Sequence, residues 1–364
     1  MKKALKIGIA VGVVALGVCG ALSAKQFFEP KISETSSEVP TTEADVLPNT
    51  TVSIVGDISL ADNWTLIPAY DSRGQGVNGI LSDRVLERIR SSDFMVANNE
   101  FTISERGTPI PGKAFTFRAK PSRLSIYDEM GVDMVTLANN HVYDFQGDAF
   151  NDMLDALDKK GLPHIGAGHN LAEAKRAYYY EAPSGQTIAF VNASRAEKWG
   201  IDTPGATETS GGILLCYDTA EFVDAIKTAK ENADIVVAIV HWGTELSHNL
   251  EQVQIDTARE YIDAGADMIV GGHAHTLQGI DFYNGKPIIY NLGDFIFNDC
   301  DEMTAMFEFV LTPEGEMKYY FHVGRQVNQY TDFLDGAERE DYVQQVESWS
   351  PNITITDDDE IIPR

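Results

Sequence analysis

Five apolar, β-branched runs of this chain end on residues that can hold a metal or move a proton. Val52–Val55 leads into Gly56-Asp57, Phe94–Ala97 into Asn98-Asn99-Glu100, and Val132–Leu137 into Ala138-Asn139-Asn140-His141. Ile235–Val240 leads into His241-Trp242-Gly243-Thr244-Glu245, and Met268–Val270 into Gly271-Gly272-His273-Ala274-His275. Four of the eight histidines lie in these endings. Imidazole and carboxylate donors suit Mn, Fe or Zn, and a carboxamide adds a neutral oxygen. On an extended segment His273 and His275 would point to the same side and reach one centre. A lone Asn-Asn is ordinarily a turn, because Asn tolerates left-handed backbone and bonds its own main chain. Five strand ends with the same habit favour a metal site instead.

The elements that must position these residues alternate. Further strands are expected at Ile188–Val191 and Ile288–Tyr290, and amphipathic helices at Ile80–Arg90, Pro121–Met130, Asp148–Lys160, Thr219–Glu231 and Glu251–Ala264. Such alternation predicts βαβ units, a mostly parallel sheet with helices on its faces, and a ligand crevice beyond the carboxyl ends of the strands. Phe307–Leu311 and Met317–Val323 read as a hairpin, residues 336–347 as a last helix, and the polar stretch from Ser348 as a tail (348–364) of no assignable structure.

The chain resembles the CapA-type proteins of capsule and poly-γ-glutamate synthesis, whose fold is similar to the calcineurin-like metallophosphatases. The resemblance covers residues 51 to about 300 and is carried by VGDISL, ANNEF, TLANNHVYD, PHIGAGHNLAEA, VAIVHWGTE, IVGGHAH and IIYNLGDFIF in that order. It implies an α/β, four-layer αββα sandwich over residues 51–347, with two sheets between helices. It also implies one or two divalent transition metal ions. Asp57 matches the aspartate of the phosphatases' first motif, Glu100 stands at their bridging aspartate, and Asn140 matches their ligand asparagine. His141 matches the neighbouring proton donor, and His241, His273 and His275 the later ligands. One ion would then be held by Glu100, Asn140, His241 and His273, and the other by Asp57, Glu100 and His275. Ser59 occupies the place of a further histidine in the phosphatases' Asp-x-His. Around these ligands, Ser59, Asp144, Glu245 and Asp294 are candidates to support or orient the metal-binding groups, and Arg118 is a candidate clamp for a substrate anion. His164 and His169 read as structural.

Bulk properties place this domain outside a membrane. Residues 7–24 carry no charge and suffice to cross a bilayer; Lys2, Lys3 and Lys6 precede them, and the first acidic residue is Glu29. The positive-inside rule gives a cytoplasmic tip (1–6), an uncleaved signal anchor (7–24) and an extracytoplasmic remainder. Residues 25–50, rich in Ser, Thr, Pro and Glu, read as a disordered linker. The net charge is −27, a field that repels phosphates at long range and argues against a nucleic-acid partner. The three cysteines exclude a disulfide framework, though Cys216 and Cys300 could pair. The expected activity is hydrolysis of a phosphoester by metal-bound hydroxide with His141 as general acid. Two alternatives stay open: a non-catalytic, metal-stabilised component among the membrane proteins of a polymer synthesis and export complex, or amide hydrolysis or transfer on a glutamate polymer.

Overall fold

A computed structural model describes residues 47–196, 203–297 and 301–364. The candidate span 7–24 and Cys300 therefore lie outside the described residues. Among the described residues no helix is long and apolar enough to cross a membrane.

The apolar runs form strands, and four of them continue past the apolar run toward or into the polar residues, while the strand within Val132–Leu137 spans only Met134–Thr136. Thr50–Ile58 includes Asp57, Phe94–Asn99 includes Asn98, Ile235–Trp242 includes His241, and Met268–His273 ends on its histidine. Pairing between these endings extends them: Asp57 lies opposite Asn98, and Trp242 opposite His273, in parallel ladders. Asp57, Asn98, His241 and His273 are thus held by main-chain ladders, while Glu100, Asn140, His141 and His275 follow shortly beyond strand ends.

Two large sheets result. In the first, Thr50–Ile58, Phe94–Asn99, Met134–Thr136 and His164–Ile165 run parallel. The long hairpin Asp301–Leu311/Met317–Val327 adds antiparallel strands beside Thr50–Ile58. In the second, Thr187–Ser194, Ile235–Trp242, Met268–His273 and Lys286–Ile289 are parallel, flanked by antiparallel Tyr178–Glu181 and Ile280–Tyr283.

The period of two along each strand assigns its residues to two cores. Ile54, Val96 and Met134 of the first sheet meet Phe190, Val237 and Val270 of the second in a shared central core. Val55, Met95, Ala97 and Val135 point the other way, against helices Asp83–Ser91, Ser125–Met130 and Gln146–Lys160. Ala189, Val236, Ala238 and Ile269 likewise face Phe222, Ile226, Tyr261 and Ile262 of helices Ala220–Lys230 and Gln252–Ala264. The order is helix, sheet, sheet, helix, with both faces of each parallel sheet covered as such sheets require.

Several element boundaries differ from the sequence reading, the hairpin strands among them, which begin earlier at Asp301 and run later to Val327. The helix expected from Ile80 begins at Asp83, because the Ser82 hydroxyl accepts from Val85 N at 3.2 Å and caps it there. Pro121–Met130 divides into a 3₁₀ turn, Pro121–Leu124, and a helix, Ser125–Met130. The polar tail is not structureless: Ile353–Ile355 pairs with Ile361–Pro363, burying Ile353, Ile355 and Ile361 in the central core. Three isoleucines spaced among charged residues gave no readable period, but Asp359 ties the hairpin down, its carbonyl accepting from Phe321 N at 2.9 Å.

Burial of an isoleucine contributes about 1.5–3 kcal/mol. A chain ending at Ser348 is therefore expected to be destabilised by on the order of 4 kcal/mol or more in urea unfolding. An unchanged midpoint would show that the terminal hairpin lies outside the cooperative unit.

Candidate metal centre

The carboxyl ends of the two sheets converge, and the predicted donors meet there. Asp57 lies in a strand of the first sheet, with Glu100 and Asn140 in the segments after its strands; His241 and His273 lie in strands of the second, and His275 two residues past one. Donor atoms of Glu100, His241 and His273 all lie within 4.8 Å of one another, as do those of Asp57, Glu100 and His275. Asn140 Oδ1 is 2.9 Å from His241 Nε2, which places the carboxamide with the first group. Glu100 belongs to both groups and stands between them.

Glycine makes the approach of the two sheets possible. A Cβ on Gly272 would come within 2.7 Å of Asp57 Oδ1, so a side chain there would push the first sheet's aspartate off the second sheet's strand. Asp57 in turn ties the sheets together, accepting from His273 N at 2.9 Å with one oxygen and from Asn98 Nδ2 at 2.7 Å with the other.

The His-x-His segment is not extended, contrary to the period-two argument. His273 has φ 95° and His275 φ 54°, a left-handed backbone that non-glycine residues adopt at a cost of order 1–3 kcal/mol. The strand ends at His273 and the chain curls. His273 is thereby aimed at Glu100 and His241, and His275 at Asp57 and Glu100. The two imidazoles thus fall in two adjacent donor groups instead of one.

The residues fit a cation. Both oxygens of Glu100, and Nδ1 of His273, are buried and form no hydrogen bond. An unsatisfied buried carboxylate is costly, and a bound positive ion removes that cost. Burial, followed by the nearby Asp57 carboxylate, pushes the Glu100 carboxyl well above its usual range. Burial and neighbouring imidazoles hold His241 and His273 well below theirs, so that their nitrogen lone pairs stay available. Burial opposes charge on His275 too, but the carboxylates of Asp294, Glu100 and Asp57 outweigh it and hold this imidazole well above the ordinary value. Nitrogen and carboxylate oxygen at this spacing suit Zn²⁺, Mn²⁺ or Fe²⁺.

The surrounding candidates divide. Asp294 Oδ1 is 2.7 Å from His275 Nδ1, and Asp144 Oδ2 is 2.8 Å from His141 Nδ1, so both carboxylates orient an imidazole. Ser59 is buried, and its hydroxyl forms no hydrogen bond. Glu245 does not reach the centre: beyond His241 the chain turns at Gly243 (φ 98°), and Glu245 is exposed. Arg118 already has partners of its own. Its guanidinium donates to the carbonyls of Arg106 and Gly107 at 3.2 and 3.4 Å and lies 4.2 Å from the Phe145 ring centroid. Cys216 is a free, buried thiol pushed up to about 12 by that burial.

Several supporting residues escaped the sequence reading. Asn139 is a scaffold: its amide donates to Asn98 Oδ1 (3.1 Å) and Asn99 O (2.8 Å), and its Oδ1 accepts from His141 N (3.0 Å). Phe117 lies 4.4 Å from the His141 ring centroid. Lys113 places an ammonium 2.6 Å from Asn140 O and 2.9 Å from Asp144 Oδ1. The available signal for Lys113 was Pro111-Gly112, which fixes a type II turn, but nothing local says what such a turn delivers.

The architecture and site thus define a four-layer α/β protein with a donor cluster for one or two metal ions between its sheets. Residues 51–299 match the profile of the family described as "Bacterial capsule synthesis protein PGA_cap", and the chain belongs to that family. It is 32% identical to the PGA biosynthesis protein CapA of Bacillus subtilis (strain 168) over 72% of this chain and 66% of that one. It is 30% identical to the capsule biosynthesis protein CapA of Bacillus anthracis over 68% of this chain and 60% of that one. The chain thus matches slightly less than two thirds of the length of these curated relatives. Among solved structures, the 5'-nucleotidase from Candida albicans SC5314 aligns over 82% of this chain and 58% of its own with 10% identity and a TM-score of 0.42.

Raised values for Glu100 and His275 mean that the metal-free site retains protons which a cation must displace. Affinity for Mn²⁺ or Zn²⁺ is therefore expected to climb as pH rises above about 6.5, the ordinary histidine value. Calorimetry in buffers of different ionisation enthalpy should register proton release. Binding that releases no protons at any pH would remove these two groups from the ligand set.

Proposed function

We propose that the protein is a membrane-anchored, extracytoplasmic metal-dependent hydrolase of capsule or poly-γ-glutamate synthesis, acting on a phosphoester within a metallophosphatase-type fold. The observation that carries this reading is Glu100, buried without a hydrogen bond between two donor groups, with His141 Nε2 facing it at 4.0 Å. A divalent ion held by these donors would supply Lewis-acid polarisation of a phosphoryl oxygen and activation of water. The chain's own residues do the rest. His241, His273 and Asn140 would hold one ion and Asp57 and His275 another, with Glu100 available to both. His141 is set apart by its partners: Asp144 accepts from Nδ1–H, so Nε2, turned toward the cluster, is the nitrogen that takes up a proton and, from the imidazolium, passes it to the leaving group. Residues 7–24 hold the domain at the outer face of the membrane, beside the other membrane components of a polymer synthase.

A non-catalytic, metal-stabilised role has one observation in its favour: Ser59 stands where the phosphatases' Asp-x-His has a further histidine, leaving Asp57, Glu100 and His275 as the second donor group. Hydrolysis or transfer of an amide in a glutamate polymer would use the same proton donor.

Replacement of neighbouring residues separates these readings. Asn140→Ala is expected to lower metal content and phosphodiester hydrolysis together. His141→Ala should keep its metal yet lose turnover by roughly 10²–10⁴-fold, the usual contribution of general acid–base catalysis. Full activity of His141→Ala would refute the mechanism. A metal-loaded wild type that cleaves no phosphoester, tested beside a γ-glutamyl amide, would transfer the assignment to the amide or to the non-catalytic role. For topology, protease added to wall-less cells is expected to digest the domain; protection while a known surface protein is cut would reverse the orientation.

A further inference from the structure

Lys113 is an unusual lysine. Its side chain is only 6% exposed, although its neighbours Gly112 and Ala114 are exposed. Lysine is almost never so deeply covered unless paired, and this one is paired twice. Its ammonium lies 2.9 Å from Asp144 Oδ1 and donates to the carbonyl of Asn140 at 2.6 Å. The turn that delivers it is built for the purpose. Lys113 N donates to Ile110 O at 3.3 Å across Pro111-Gly112, and Gly112 has φ 84°, the left-handed value that glycine takes freely. Ile110 N in turn donates to Asp144 O at 2.9 Å, and Phe117 N to Asp144 Oδ2 at 2.7 Å. Residues 110–117 therefore wrap Asp144 with two main-chain donors and one ammonium.

Asp144 has few options left under this grip. Its Oδ1 faces Lys113, and its Oδ2 is shared between Phe117 N and His141 Nδ1. A carboxylate locked in this way accepts only from a protonated Nδ1, so the neutral imidazole is confined to one tautomer with Nε2 free. The second contact of Lys113 steadies the residue beside it, since the Asn140 carbonyl also accepts from Thr203 Oγ1 at 2.8 Å.

We propose that Lys113 is a positioning residue which, through Asp144, locks His141 in the Nδ1–H tautomer with Nε2 turned to the metal centre. This deepens the hydrolase reading and rests on it only for the effect on turnover; the tautomer stands independently.

The test is Lys113→Met, of similar length and without charge, compared with wild type by ¹⁵N-histidine NMR of the Zn²⁺-loaded protein. The His141 signals are assigned from their loss in His141→Gln. In wild type the His141 nitrogens should show a single Nδ1–H tautomer. In Lys113→Met they should shift to a tautomer mixture, with metal content retained and phosphodiester turnover lowered roughly 10–100-fold, the usual cost of losing a group that orients a functional side chain. Lys113→Arg, which restores the cation, should recover the single tautomer. If Lys113→Met fails to fold, Lys113→Gln carries the same comparison, keeping a donor for the Asn140 carbonyl while removing the charge opposite Asp144. A wild-type tautomer pattern in the folded neutral variant overturns the proposal, whatever the activity. A shifted pattern in a protein whose wild type hydrolyses nothing upholds the positioning role and removes only the hydrolase reading.

Discussion

The buried carboxylate of Glu100 is the constraint on which the site depends. Neither of its oxygens has a hydrogen-bond donor, and the Asp57 carboxylate nearby raises the cost of its charge. Nearby imidazoles do not all compensate, because burial keeps His241 and His273 neutral. A protein interior ordinarily avoids such a group or pairs it. Its presence at the meeting of two sheets, with donors on both sides, makes sense as a place prepared for positive charge from outside. The left-handed backbone at His273 and His275 belongs to the same economy of form: local strain is tolerated where the surrounding strands and glycines leave the imidazoles no other direction.

Support for the centre comes mostly from neutral groups. Asn98 joins Asp57 to Asn139 and Thr136, and Asn139 joins the first sheet to the backbone of His141. Carboxamides both donate and accept, so they can satisfy a buried network without adding charge to an already charged interior. Formal charge enters the periphery only in selected places: Asp294 on His275, Asp144 on His141, and Lys113 on Asp144. The acidic surface, part of a net charge of −27, attracts divalent cations and repels polyanions at long range. Recognition of any anionic group therefore falls to the centre itself and to the few cations beside it.

Covered parallel strands with polar endings were legible in the chain because both follow local rules, whereas the division into two sheets and the choice of ligands came from the family resemblance. Apolar β-branched runs alternating with amphipathic helices dictate covered parallel sheets. Each run ended on polar residues; the family resemblance singled out Asp57, Glu100, Asn140, His241, His273 and His275 among them, Asp144 followed from its nearness to His141, and Asp294 from the Gly-Asp-Phe motif. What sequence could not decide was direction and depth. Glu245 follows His241 by four residues but leaves the centre at the Gly243 turn, and one nitrogen of Arg118 donates to two carbonyls while its guanidinium rests over Phe145. The terminal hairpin, polar in composition, hides three isoleucines whose partners lie in distant strands. Lys113 is 27 residues from Asn140, in a loop with no period to read. Sequence determines which faces are apolar and where strands stop, because these depend on neighbours along the chain. Only tertiary structure decides which polar group is buried beside which, because a hydrogen bond or a shared ion is fixed by distance in space, and that distance is set by the packing of two sheets that do not know of each other along the chain.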